Sequence, residues 1–184
     1  MLEILTDEEI FLLAKDGYRH GCEACPCCGA VGQLSNYGDY SRDLTYLQTG
    51  KVTDSRINPL RFVCRSCGAT HAMLPDIVIP YGRYSLGFVL AALIAYFERD
   101  TIVVIICENF GIAVSTIYEW KKRMLSHKEL MLGILISCKT PALAFLRGLI
   151  GSNALSESLS RFFRKYGFSF MQNKSQLTPR SRPP

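Results

Sequence analysis

The sequence predicts a mainly α-helical protein that carries one small β unit on its N-terminal side. Three observations carry that expectation. Two Cys-x-x-Cys-Gly turns, Cys25-Pro26-Cys27-Cys28-Gly29 and Cys64-Arg65-Ser66-Cys67-Gly68, bracket a strand-like region. Two helix-patterned segments meet at Gly111, within residues 100–125. Three further helical runs follow, broken at Pro141 and at Gly151-Ser152-Asn153.

The chain has 184 residues, enough for one or two small domains with a sizeable core. Residues 1–18 predict a short helix, because Thr6 and Glu9 fit a capping box ahead of the apolar run from Ile10 to Leu13. The paired cysteine turns come next. Such a turn lets two thiolates reach one ion while backbone N–H groups face the sulfurs, and its glycine permits the tight bend. Two turns make a closed four-thiolate site, so one structural zinc ion on Cys25, Cys28, Cys64 and Cys67 is expected. Cys22 and Cys27 compete for the same places, but Pro26 and Gly29 favour Cys25 and Cys28. His71 is read as an ordinary loop histidine, since the thiolates already number four. A redox Cys-x-x-Cys would need a βαβ context that the sequence lacks. Cys107 and Cys138 are read as buried thiols.

Between the cysteine turns, Tyr37 to Leu47 suggests strands joined by polar turns, and Arg61-Phe62-Val63 enters the second turn as a strand. The 35 intervening residues fit an extended hairpin. Residues 19–83 are therefore expected to form a zinc ribbon and a connector, with metal binding supplying much of the folding free energy. Pro75 and Pro80 keep residues 72–83 extended. Their apolar side chains, Met73, Leu74, Ile77, Val78 and Ile79, are expected against the next helix.

Ser85 caps a helix from Leu86 to Phe97 that is apolar on nearly every face and hence buried on several sides. In the following helix Ile102, Ile105 and Ile106 are expected to face the core. Gly111 takes the left-handed conformation of a sharp turn, with the small Cys107 four residues before it and Phe110 closing the helix. Ile112, Ile117 and Trp120 then form an apolar stripe, while Ser115, Thr116, Tyr118, Glu119 and Lys122 point elsewhere. Ala113 stands where a capping Ser or Thr is usual, so the cap passes to Ser115 or is absent. Residues 84–125 are thus predicted to be a three-helix unit containing a helix-turn-helix, its last helix ending at Leu125. Residues 126–170 are predicted to be C-terminal helices, with Phe162, Phe163, Phe168 and Phe170 expected to pack back on the main unit in preference to forming a dimer surface. Residues 171–184 are predicted to be a disordered basic tail.

Charge divides the chain. Residues 1–83 hold 8 Lys+Arg against 10 Asp+Glu, a net of −2, whereas residues 84–184 hold 13 against 6, a net of +7. The positive half contains the helix expected to meet phosphates. There is no apolar run of 18 residues and no basic leader segment, which, with the cysteine usage, points to a cytoplasmic, nucleoid-associated protein without a membrane role.

A zinc ribbon followed by a helix-turn-helix resembles the DNA-recognition part of insertion-sequence transposases and their small accessory proteins. The residues that carry the likeness are the two cysteine turns, Leu74-Pro75, Ile79-Pro80-Tyr81, Tyr84-Ser85 and Gly111 to Trp120. The chain also resembles a bacterial family of uncharacterised proteins with the same domain order, over roughly residues 20–170. The resemblance implies double-stranded DNA as partner, in a transposition-related or transcription-regulatory setting. Ser115, Thr116, Tyr118 and Glu119 are then expected at base edges, and Lys121, Lys122, Arg123 and Lys128 at phosphates. The ribbon is expected to contact flanking backbone or, given the net −2 of residues 1–83, to dock a transposase or other protein; an oligomer is possible. Enzymatic activity is not expected. No Asp follows Asp100, and only Glu129 and Glu157 follow Leu125, too few for a two-metal carboxylate site. The rival reading is a zinc-ribbon adaptor that binds protein and not DNA.

Overall fold

A computed structural model describes residues 24–75, 77–151 and 155–173. The expected N-terminal helix, Cys22 and the tail beyond Asn173 lie outside the described residues. The chain divides into two compact units, residues 1–78 and 79–184. Among the described residues there are small antiparallel sheets and six helices, a mixed architecture with a cysteine cluster in the first unit.

The first unit contains β1 (Leu34–Asp39), β2 (Arg42–Gln48), β3 (Lys51–Ile57), β4 (Leu60–Cys64) and β5 (Thr70–Ala72). β2 and β3 form a hairpin of their own around Thr49-Gly50, both at positive φ (48° and 80°), the geometry that matches the twist of paired strands. Leu44, Tyr46 and Ile57 of the hairpin bury against Val78, with Leu74 and Ile77 packed alongside. Leu74, Ile77 and Val78 of the connector, although expected against the next helix, therefore find a partner inside the first unit, because a hairpin with one apolar face must cover it locally.

The other sheet has the order β1–β4–β5. Its register pairs Leu34 with Cys64 and Phe62 with His71, so the two cysteine turns emerge at the same end of neighbouring strands. His71 is thus a strand residue and not a loop residue.

The second unit contains α1 (Leu86–Glu98), α2 (Val103–Phe110), α3 (Val114–Leu132), α4 (Ile134–Lys139), α5 (Ala142–Ile150) and α6 (Leu155–Tyr166). The Ser85 hydroxyl accepts the Phe88 N–H at 3.1 Å, as an N-cap should. Phe88 is fully buried beside Tyr84, Phe110 and Trp120, at ring separations of 5.1, 5.4 and 6.2 Å. This aromatic group ties α1, α2 and α3 together. On α2 the buried residues are Ile106 and Cys107, whereas Ile102 and Ile105 are exposed. A helix of two turns buries one narrow stripe, and that stripe falls one residue later than expected.

α3 runs seven residues beyond the expected end at Leu125 and stops where Gly133 takes φ 77°. It buries Ile117, Trp120, Met124, His127 and Lys128. His127 lies among Phe162, Phe168 and Phe170, and its Nδ1 accepts the Met171 N–H at 3.1 Å. Met171 and Gln172, placed in the tail by their polar and basic sequence neighbours, are buried. Cys138 and Phe163 are exposed, contrary to expectation, because they fall on the outer faces of α4 and α6. Among the described residues no single helix is long and apolar enough to cross a membrane.

Candidate functional site

The two cysteine turns are built alike. In the first, Gly29 donates to the Cys25 carbonyl at 2.8 Å and Cys25 donates to Ala30 at 2.9 Å. In the second, Gly68 donates to Cys64 at 2.8 Å and Cys64 donates to Ala69 at 2.9 Å. Gly29 and Gly68 have φ 73° and 72°, a conformation that a side chain would strain. The repeat Cys-x-x-Cys-Gly-Ala is thus one local solution used twice. The β1–β4 register then joins the copies, with the Arg65 N–H on the Gln33 carbonyl at 2.8 Å.

The result is four sulfurs, of Cys25, Cys28, Cys64 and Cys67, within 4.8 Å of one another. Cys25 and Cys67 are 3.8 Å apart, and Cys28 and Cys64 are 3.7 Å apart. Four thiolates bound at about 2.3 Å to one tetrahedral ion lie about 3.8 Å apart along each edge. The donor set therefore fits a metal ion, and these four side chains could hold it. Cys27 is exposed and stands outside the cluster. His71 stands beside it: Nε2 is 3.3 Å from the Cys25 sulfur, a partner that orients a ligand without being one. Only the strand register exposes this role, because a lone histidine four residues past a knuckle carries no signal of its direction.

Charge at the cluster points the same way. Burial pushes the Cys25 thiol up, yet N–H groups of Cys28 and Cys27, with hydrogen bonds from Cys64 and His71, bring it down to about 6. At Cys67 the Ala69 N–H favours the thiolate, but burial and the sulfurs of Cys28, Cys64 and Cys25 outweigh it and push the group to about 12. The first thiolate obstructs the last. A dication among the sulfurs removes that conflict.

The second candidate surface is α3 and the turn before it. Gly111 has φ 61°, and the Ile112 N–H closes on the Cys107 carbonyl at 2.9 Å. α2 and α3 meet at 99°. Ala113 caps α3 with no side-chain hydrogen bond, so the cap is absent and Ser115 does not replace it. Ser115, Tyr118, Glu119 and Lys122 are exposed and share one face at helical spacing, with Thr116 half-buried beside them. Lys121 is half-buried; its Nζ donates to the Tyr96 hydroxyl at 2.9 Å and lies 5.9 Å from the Tyr118 ring. Tyr96 and Tyr118 are 6.0 Å apart edge-on, which props Tyr118 toward solvent.

Two expected phosphate contacts are placed differently. Arg123 is half-buried and donates to the Met171 carbonyl at 3.2 Å. Lys128 is 6% exposed and donates to the carbonyls of Ser137 and Thr140 at 2.9 and 2.6 Å. It continues the buried stripe of Ile117, Trp120 and Met124, four residues beyond the last of them, and holds the end of α4. Lys128 is therefore not a phosphate contact.

A small antiparallel β unit with a four-cysteine cluster, followed by a helical unit, defines the class to which the chain belongs. It is a member of the family described as a domain of unknown function, DUF6431, whose model matches residues 25–120. The match opens on the first cysteine of the cluster and ends on Trp120 of α3. No curated protein and no solved structure matches the chain.

Proposed function

We propose that the protein is a sequence-specific binder of double-stranded DNA, with α2 and α3 forming a helix-turn-helix and a zinc ion bracing the β unit as a zinc ribbon. The observation that carries this reading is the meeting of α2 and α3 at 99° across a left-handed Gly111, within the range of about 90–120° for such motifs. Behind α3 lie Ile117 and Trp120; in front lies the polar stripe of Ser115, Tyr118, Glu119 and Lys122. Ser115, Thr116, Tyr118 and Glu119 would meet base edges in the major groove. Lys122 would contact phosphate, with Lys121 beside it and Arg123 contributing at most through its charge. The likeness of the two cysteine turns, Leu74-Pro75, Ile79-Pro80-Tyr81, Tyr84-Ser85 and Gly111 to Trp120 to transposase recognition modules supports a transposition-related or regulatory role in the cytoplasm, with no chemistry performed by this chain. Zinc is the ion of choice for four thiolates with no open position.

The decisive experiment is selection from a random duplex pool by zinc-loaded protein at two salt concentrations. Enrichment of a short motif, with affinity falling steeply as salt rises, supports the proposal; absence of duplex binding at low salt by folded protein refutes it.

One observation favours the rival adaptor reading. Ile134, Leu135 and Ile136 are 73%, 82% and 59% exposed in consecutive positions, an apolar turn suited to a protein partner. The same selection separates the two, because an adaptor leaves the duplex pool unenriched.

A further inference from the structure

The sheet β1–β4–β5 has an open face that neither the cysteine cluster nor the proposed duplex reading uses. Alternation places Arg61 and Val63 of β4 on the face opposite buried Phe62 and Cys64. Across the strands Arg61 is opposite Gly38 on one side and Ala72 on the other. β1 carries a bulge there. Asn36 pairs with Phe62 and Gly38 with Arg61, so Tyr37 is the extra residue. The bulge is built: Gly38 sits at φ 107° and its N–H reaches the Asn36 Oδ1 at 2.7 Å. Bulges re-aim side chains, and this one leaves the Tyr37 ring 60% exposed. The Arg61 guanidinium lies 5.6 Å from the Tyr37 ring and 6.0 Å from the Tyr40 ring, and also donates to Thr70 at 3.3 Å. No carboxylate of the described residues pairs with it.

We infer that this face binds a single-stranded nucleic acid, with Tyr37 stacking on an unpaired base and Arg61 holding the ring and meeting the adjacent phosphate. The local cation selects an anionic partner: Arg61 has no carboxylate beside it among the described residues, whereas the 5 Lys+Arg of residues 24–75 are offset by 3 Asp+Glu and by the net −2 of a four-thiolate zinc site. The ring selects the single strand. A flat aromatic on a sheet needs a free π-face, which unpaired bases offer and stacked duplex bases do not. Thr70, on the same face, adds a hydroxyl within reach of sugar or phosphate.

The test is fluorescence anisotropy of the zinc-loaded full chain with labelled single-stranded DNA, single-stranded RNA and duplex, in parallel. The parent protein should bind one or both single strands with salt-sensitive affinity. Tyr37→Ala should lose roughly tenfold on single strands, with an unchanged melting temperature and unchanged duplex binding. Tyr37→Phe should restore the loss. Arg61→Ala should weaken binding and flatten the salt dependence. Lys122→Ala should act on duplex alone, so failure of the duplex reading and failure of this one are separately visible. Preference between the two single strands assigns the sugar. Parental affinity in Tyr37→Ala, or no single-strand binding by folded protein, overturns the inference.

Discussion

Three residues of α3 show how position on one helix decides role. Trp120 is buried against Tyr84 and Phe88. Trp120→Ala should cost about 3–5 kcal/mol, read by urea unfolding. Lys122 is exposed on the opposite face. Lys122→Ala should leave unfolding unchanged and reduce the salt slope of the proposed duplex binding by about 1. Lys128, for all its charge, belongs with Trp120. Removing its ammonium takes a donor from both carbonyls and leaves Ser137 with only the Thr140 N–H at 3.3 Å, so Lys128→Ala should destabilise by roughly 1–3 kcal/mol and leave the salt slope intact. A slope change in Lys128→Ala equal to that in Lys122→Ala would contradict this assignment.

At the scale of elements, the three turns that matter all rest on glycine. Gly111 joins α2 to α3 at φ 61°, and a Cβ there meets nothing within 4 Å. The cost of Gly111→Ala is therefore backbone strain alone, about 1–2 kcal/mol, visible as a lower melting temperature. Gly111→Asn should cost less, since Asn tolerates this conformation. The cysteine turns gain their geometry from Gly29 and Gly68, but their meeting depends on pairing of β1 with β4. α4 is the converse case. Its N-terminus has no side-chain cap, and at its C-terminus the Lys128 clamp, with the Thr140 hydroxyl on the Ile136 carbonyl at 2.9 Å, keeps the apolar turn Ile134–Ile136 in place.

The whole molecule consists of two compact units, and a single tryptophan, Trp120, reports on the second. If the four cysteines hold the proposed zinc, its chelation should abolish the strand signals of the β unit in NMR spectra while leaving Trp120 emission unchanged. Concerted loss of both signals would show that the helical unit depends on the metal. The β2–β3 hairpin, which buries Leu44, Tyr46 and Ile57 in its own apolar group, should be the last part of the β unit to lose structure.

Local features were legible from sequence wherever one short stretch dictates its own conformation. The cysteine turns, the Ser85 cap, the Gly111 turn, α5 and α6 all depend on neighbours within a few residues, and each stands where expected. Choosing Cys25 and Cys28 over Cys27 followed from the same local chemistry. Features decided by partners distant in sequence were not legible. The orientation of His71 toward Cys25 depends on strand register. Burial of Lys128 and Met171 depends on which helices close over α3, and the exposure of Ile102 and Ile105 on how little of α2 they cover. Periodicity reports that a face is apolar; only tertiary packing decides which part of it is covered, because burial is a property of both surfaces.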